Sequence, residues 1–370
     1  MVTTELTRHD GLLELDSAAL ERALSELWQQ AAMAGDGPPV DRTRVMTLVV
    51  YAEDEASVGL AAAVAEAIPE RHPCRCIIVH VSPQDDRPLR AGISIQCLVN
   101  PGGERKVCSE QITVMGGGAS RPLLFGAITP LLIPDLPATF WWTGRPRPAD
   151  PLFLQFARGT VDRVLIDSGF FRDPGAGLIS LARWKEDRRR RAAIGDLAWE
   201  RLREWRQLLA QTMDPPEARV HLQSISEVTI EYLGDSIPEE SLLLAGWLAA
   251  TLRWQPLDSP APGVVTFDAG THTVTLKLRA VEGRRGVAGI HSIRLSAAGA
   301  DYLVRAGDQP GLGQCIATID EREPLDRMVP LFDQSPVDLI VRALGRRRDD
   351  PAYEAAISAT ADFVVLGVTA

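Results

Sequence analysis

No stretch narrows the possible folds more than Pro130 to Pro151, PLLIPDLPATFWWTGRPRPADP. Proline has no N–H to give to a ladder, so the proline-marked turns leave only Ala138–Trp142, ATFWW, free to form a strand. Successive side chains on a strand point to opposite faces. Trp141 and Trp142 therefore cannot share one pocket. Either the strand is central and covered on both faces, with both rings under helices, or one indole stands at the surface beside Gly144 and Arg145. The second arrangement would suit a protein partner, since Trp and Arg are enriched among interface hot spots.

The flanking segments favour a layered α/β arrangement. Asp16 or Ser17 caps a helix with Leu20, Ala23, Leu24 and Leu27 on one face. The string Gly35 to Pro39, GDGPP, reads as a linker. Val45–Tyr51 is a continuous apolar run that reads as a doubly covered strand, and Arg75–Val81 reads as a second strand, with an Ala-rich helix from Asp54 to Ile68 between them. That order predicts a parallel pair with a right-handed crossover. Leu89–Asn100 and Lys106–Met115 flank Pro101-Gly102-Gly103-Glu104, a hairpin signal. A turn centred on Gly102-Gly103 pairs residues whose numbers sum to 205, which sets Cys97 opposite Cys108. Their Cβ atoms would then lie ~4.5–5.5 Å apart. Arg121 to Ile133 reads as a helix with Pro122 in its first turn. Further elements are expected at Phe153–Thr160, Arg163–Asp167 and Leu178–Trp184, then a long amphipathic helix opened by Asp196 and stopped by Asp214-Pro215-Pro216.

After Pro216 the pattern changes. A buried helix over Pro238 to Arg253 is followed by consecutive strands, of which Thr273–Val281 alternates most cleanly, and the chain closes on two helical segments. The expected layout is therefore an N-terminal helix and linker (1–40), an α/β domain with a mixed sheet (41–218), and a smaller α+β domain with a mainly antiparallel sheet (219–370).

Several classes of function are disfavoured. A net charge of −10 argues against general binding to nucleic acid or anionic membranes. The arginine runs Arg188–Arg191 and Arg346–Arg348 follow helix-like sequence and read as solvated helix ends. The most apolar run, Leu242 to Leu252, falls short of the ~20 residues a bilayer span takes. The N-terminus, MVTTELTRHD, has no signal-peptide core. Five cysteines make no disulfide framework, and a reducing cytoplasm is the expected location.

The catalytic inventory is thin. Gly116, Gly117 and Gly118 lie between a strand and a helix, where backbone N–H groups with Arg121 could hold a sugar phosphate. The dinucleotide fingerprint fails because its third glycine position is Arg121, and no Gly-Lys-Ser/Thr follows for a P-loop. The six histidines are scattered, with no HExxH and no CxxC. GxSxG and SxxK are absent. Asp167-Ser168-Gly169 ends a strand, where α/β proteins often place ligands; Asp167 and Asp173 could pair, though an Asp-Pro turn explains Asp173 equally. No cofactor or metal is expected. Solvated apolar-plus-Arg surfaces point to a binding or regulatory protein.

Seven strings in order, RVMTLVVY, HPCRCIIV, LRAGISIQC, VCSEQITV, LLIPDLPATFWWTG, DRVLIDSGFFRDP and DLAWERLREWRQLLAQTMDPP, closely resemble the glucose-6-phosphate dehydrogenase assembly protein family, OpcA, in its cyanobacterial form. The resemblance runs from about Arg44 to Pro216 and continues through AGWLAATLRW. It implies a non-catalytic partner that binds glucose-6-phosphate dehydrogenase and promotes its active oligomer or raises its affinity for glucose 6-phosphate, supporting NADPH supply by the oxidative pentose phosphate pathway. It carries over no catalytic, cofactor or metal residues. The expected contact surface is the end of the tandem-tryptophan strand, with Trp142, Arg145 and Arg147, beside the loop Phe170, Phe171 and Arg172. Arg188–Arg191 is the rival basic surface. The family is also associated with thioredoxin-linked control. Here Cys97 and Cys108 form the available pair, and two free buried thiols are the simpler state in a reducing compartment.

Overall fold

The computed structural model describes residues 3–8, 11–33, 40–41, 44–99, 106–187, 189–282, 289–307, 309, 311–322, 325–331, 335–346 and 348–369. The Gly35–Pro39 linker and the Pro101–Glu104 turn lie outside the described residues. In chain order come β1 (Thr3–Arg8), β2 (Leu13–Glu14), α1 (Ser17–Met33), β3 (Val40–Asp41), β4 (Met46–Ala52), α2 (Glu55–Ala67), β5 (Cys74–Ser82), β6 (Arg90–Val99), β7 (Lys106–Gly117), α3 (Leu124–Ile128), β8 (Ala138–Trp142), α4 (Pro151–Arg158), β9 (Arg163–Ile166), α5 (Pro174–Lys185) and β10 (Ala193–Asp196). There follow α6 (Leu197–Arg201), α7 (Arg203–Met213), α8 (Pro216–Arg219), β11 (Ile225–Leu233), α9 (Glu239–Leu252), β12 (Gln255–Ala261), β13 (Val264–Asp268), β14 (Thr273–Val281), β15 (Gly289–Ala297), β16 (Ala300–Ala306), β17 (Leu312–Ile319), β18 (Leu325–Pro330), α10 (Pro336–Leu344) and α11 (Pro351–Val364).

Two compact units form, and they do not follow the composition change after Pro216. One contains residues 1–167, 188–195 and 335–348; the other contains 168–187, 196–334 and 349–370. The chain passes between them where charge and hydropathy give no mark, at Asp167/Ser168 and Gly195/Asp196 among other points.

The first unit is built on a mixed sheet ordered β1-β6-β7-β5-β4-β8-β9-β10, with β2 on β6 and β3 on β7. β4 pairs in parallel with β5 on one side and β8 on the other, and β5–β7 and β8–β9 are parallel too. Counting β4 as first, then β5, β7, β8, β9 and β10, the order is 3-2-1-4-5-6, that of a doubly wound α/β domain. Every residue of β4 and β8 is buried, as a strand covered on both faces requires. Both tryptophans are thereby in the core, each 1% exposed. The hairpin register is the expected one, with Cys97 opposite Cys108 and Arg90 opposite Met115. The helix expected over Arg121 to Ile133 is instead broken into a 3₁₀ turn at Gly118–Leu123, the short α3, and a second 3₁₀ turn at Thr129–Leu131. Pro130 lacks the N–H that a continuous helix would need there, and its ring crowds the carbonyl four residues earlier.

A buried ionic cluster ties α1 to this sheet. Arg75, 2% exposed, reaches Glu110, Glu21 and the Leu131 carbonyl. Glu110 also accepts from Trp28 Nε1 (2.9 Å) and Arg44 (2.6 Å). Burial alone would lower the affinity of Arg75 for its proton, and the two carboxylates outweigh it.

The second unit is an eight-stranded sheet ordered β12-β13-β14-β11-β15-β16-β17-β18. Only the β11–β14 pair is parallel among its registers. Tyr302 donates to the Ala218 carbonyl (2.7 Å), and Tyr353 to Asp196 (2.8 Å), which also caps α6 through Ala198 N–H. β12 and β18 escaped the sequence reading: QPLDSPA carries two prolines, tolerable on an edge strand, and LDRMVP is exposed at all but one position.

Candidate functional site

The strand order reverses at β4, between β5 and β8. The crevice beyond the carboxyl ends of such strands is where doubly wound domains bind ligands. Here the crevice is formed by the turn Ala52-Glu53-Asp54 after β4 and the loop Thr143 to Asp150 after β8. Thr143 is locked to β4 by its N–H and hydroxyl, both on the Tyr51 carbonyl (3.0 and 2.8 Å). Gly144 turns the loop with a φ of 62°, which glycine tolerates.

A polar relay runs across the crevice. Tyr51 OH donates to Glu53 (2.8 Å) and accepts from Arg121 Nε (2.8 Å). Arg121 Nη2 holds both oxygens of Asp150 at 2.8 Å, and Asp150 caps α4 through Leu152 N–H. Arg147 bonds Glu53 from the other side. The guanidinium groups of Arg121 and Arg147 lie 5.8 and 5.4 Å from the Trp142 ring centre, within cation–π range. Trp142 in turn donates to the Arg145 carbonyl (3.1 Å) and sits 4.7 Å from Tyr51, ring centre to ring centre. Burial pushes the Tyr51 hydroxyl far above its ordinary range, against the Arg121 hydrogen bond that lowers it.

A dinucleotide does not fit this crevice as built. Its diphosphate would lie on the N-terminus of the helix after the first strand, in a glycine-rich turn. Here that turn is Glu53-Asp54-Glu55, without glycine. Asp54 already takes the free Ser57 N–H of α2 (2.7 Å) and its hydroxyl (3.1 Å). A phosphate would therefore face carboxylates where the fold offers amides.

The Gly116–Gly118 loop is likewise engaged. Gly117 N–H bonds Arg87 O (2.9 Å) and Gly118 N–H bonds Asp85 O (2.7 Å). A Cβ on Gly117 would stand 1.9 Å from Asp85 O. These glycines admit the 83–87 backbone and Arg121 serves Asp150, so the Gly117 and Gly118 amides and this guanidinium are already engaged where the phosphate-binding reading would use them.

The expected contact residues divide. Trp142, Arg145 and Arg147 come together at the crevice, but Trp142 is buried beneath the arginines; Arg145 and Arg147 are the exposed members. Phe170, Phe171 and Arg172 belong to the second unit. Phe170 is 55% exposed, Arg172 is exposed, and Phe171 packs on Gly177 of α5. Asp173 is the cap of α5, bonding Ala176 N–H (2.9 Å). Cys97 and Cys108 are joined in a disulfide with Cα atoms 4.0 Å apart, so the expectation of free thiols is corrected: directly opposed strand positions bring the sulfurs within bonding reach. Both are buried, at 2% and 0% exposure, which shields the bond from an attacking thiolate. No helix among the described residues is long and apolar enough to cross a membrane. The sequence reading missed the Tyr51–Glu53–Arg121–Asp150 relay, which joins one strand end to residues about 70 and 100 positions further along the chain.

The fold and crevice define a class: a doubly wound α/β domain without a glycine-rich turn after its first strand, joined to an α+β sheet unit. The solved glucose-6-phosphate 1-dehydrogenase of Mycobacterium avium shares the fold, with a TM-score of 0.53, 12% identity, and coverage of 86% of this chain and 90% of that one. Family profiles match residues 65–183, as glucose-6-phosphate dehydrogenase subunit N-terminal domain, and 192–357, as the C-terminal domain of the same protein. The chain belongs to the OpcA family. It is 27% identical to the OxPP cycle protein OpcA of Synechococcus elongatus, over 66% of this chain and 69% of that one. With the Nostoc punctiforme OpcA it shares 31% identity over 67% of its own length, and it spans about half of that relative, 54%.

Proposed function

We propose that the chain is a non-catalytic subunit that binds glucose-6-phosphate dehydrogenase and either promotes its active oligomer or raises its affinity for glucose 6-phosphate. The observation that carries this reading is a dehydrogenase-type fold whose nucleotide turn holds Glu53 and Asp54, with Asp54 bonded to the amide a phosphate would use. Such a chain keeps the shape of the enzyme and loses its cofactor seat. The family description of a dehydrogenase subunit supplies the partner.

Activation needs only differential affinity for two enzyme states, typically worth ~1–3 kcal/mol. The test is a dehydrogenase assay with and without the full chain, varying glucose 6-phosphate, beside a sizing run of the mixture. A lowered KM or a larger enzyme species is expected; unchanged kinetics together with no co-elution rejects the proposal. Thermal shift separates the rival reading of a sugar-phosphate enzyme or sensor, since a ligand of the native state raises its melting temperature. Neither glucose 6-phosphate nor NADP alone should move it. Arg145 and Arg147, with Phe170 and Arg172 of the second unit, are the candidate contacts, and Arg145→Ala with Arg147→Ala should weaken co-elution; unchanged co-elution removes the two arginines from the contact. Thioredoxin control through Cys97–Cys108 would first require the chain to open around that buried bond.

A further inference from the structure

The sheet of the second unit has two unlike faces. Along β11, β14, β16 and β17 buried residues alternate strictly with half-exposed or exposed ones over most of each strand. The buried set, Val228, Leu276, Leu295 and Val304 among them, faces the helices; α7 and α9 contact these strands. The strand registers align the opposite set in rows. One row runs Lys277, Thr229, Arg294, Leu303, Ile316 and Asp326 across six neighbouring strands. Each member is half-exposed or exposed.

This outer face is not an ordinary solvated surface. From β14 to β18 its strand charges balance, Lys277, Arg279, Arg294 and Arg305 against Glu227, Glu231, Asp301 and Asp326, and Asp268 on β13 adds one negative charge, in a chain of net charge −10. They are tied by Lys277–Glu227 (2.6 Å), Arg294–Asp301 (3.1 Å) and Gln314 between Arg305 and Asp326. Held side chains lose less entropy on docking. Leu303 and Ile316 pair directly at the centre. From β13 to β18, strands ~4.8 Å apart and three rows of outward residues give on the order of 600 Å² in plan. A standard interface takes about 800 Å² from each partner.

We infer that this face docks a protomer of glucose-6-phosphate dehydrogenase through the corresponding sheet of that enzyme. The inference rests on the reading above and adds the surface. The whole sheet, Ile225 to Pro330 with β12, lies inside the segment that matches the C-terminal domain of the dehydrogenase-subunit family. The solved dehydrogenase shares the fold over 90% of its own length. Two like-folded chains can thus meet face to face with near-two-fold geometry, as isologous pairs do. A face with one net negative charge brings far less repulsion to the contact than the −10 of the whole chain would.

The experiment compares the full chain with Ile316→Arg and with Arg294→Glu, outward substitutions that leave the core untouched; an unchanged melting temperature verifies this. Binding to purified dehydrogenase is read by biolayer interferometry, and the free chain is sized by light scattering. The inference expects at least a ten-fold loss of affinity in both variants. If the wild-type chain does not bind the dehydrogenase, the proposed function itself fails. If wild type and variants bind equally, only this surface is overturned. A wild-type dimer that Ile316→Arg converts to monomer assigns the face to a second copy and also overturns the inference.

Discussion

At the scale of single residues, Glu110 is the most consequential side chain that the strand pattern gave no reason to single out. It sits on a run read only as one arm of a hairpin, yet its carboxylate is wholly enclosed and answers Arg75, Arg44 and Trp28 at once. Removing one partner from such a cluster leaves buried charge uncompensated, which costs about 3–5 kcal/mol. Glu110→Gln should therefore lower the urea midpoint by a matching amount with the slope unchanged; a loss under about 1 kcal/mol would mean that water reaches Arg75. The thiols give a pH dependence of opposite origin. Burial raises Cys76 from 9.0 to about 12, and burial together with Cys76 and Glu110 raises Cys74 well above its ordinary value. The unfolded chain loses these protons near pH 9 while the folded one keeps them. Stability is thus fully present below pH 9 and declines between 9 and about 12, by about 1.4 kcal/mol per pH unit for each thiol. Melting followed from about pH 7 to about pH 10.5, against Cys74→Ala with Cys76→Ala, should show a steeper decline in the parent, the buried tyrosines and Cys315 giving both chains a common slope.

Elements were legible wherever local signals agreed. β8 emerged from the sequence with its observed limits because prolines fence it and every residue in it is apolar or small. The register of β6 and β7 followed from a turn signal alone, and so did the opposition of Cys97 and Cys108. What was illegible depended on distant neighbours. The triple glycine has the composition of a phosphate loop, and only the fold reveals the backbone of Asp85 lying against it. Gly117→Ala should accordingly destabilise the protein by at least ~2 kcal/mol, an overpacking cost with no flexible atom to yield. A near-neutral effect in thermal melts would show that the 83–87 segment can retreat. Edge strands β12 and β18 were hidden for another reason: their exposed, proline-bearing sequences lack the alternation that marks a half-buried strand.

For the molecule as a whole, chemistry at the cysteines offers a direct check of the covalent state. Denatured without reductant, the chain should titrate three thiols, those of Cys74, Cys76 and Cys315, and five after reduction. Five in both would place Cys97 and Cys108 in the dithiol form. The partition into units carries a consequence for synthesis. The first unit takes residues 335–348, which supply α10, and the second takes 349–370. A ribosome that has delivered the whole of the doubly wound sheet has therefore still not delivered all of the unit around it. Each half must wait, incomplete, until residues 335–370 follow. Emergence of that stretch, rather than of either sheet, sets the moment at which the two units can close.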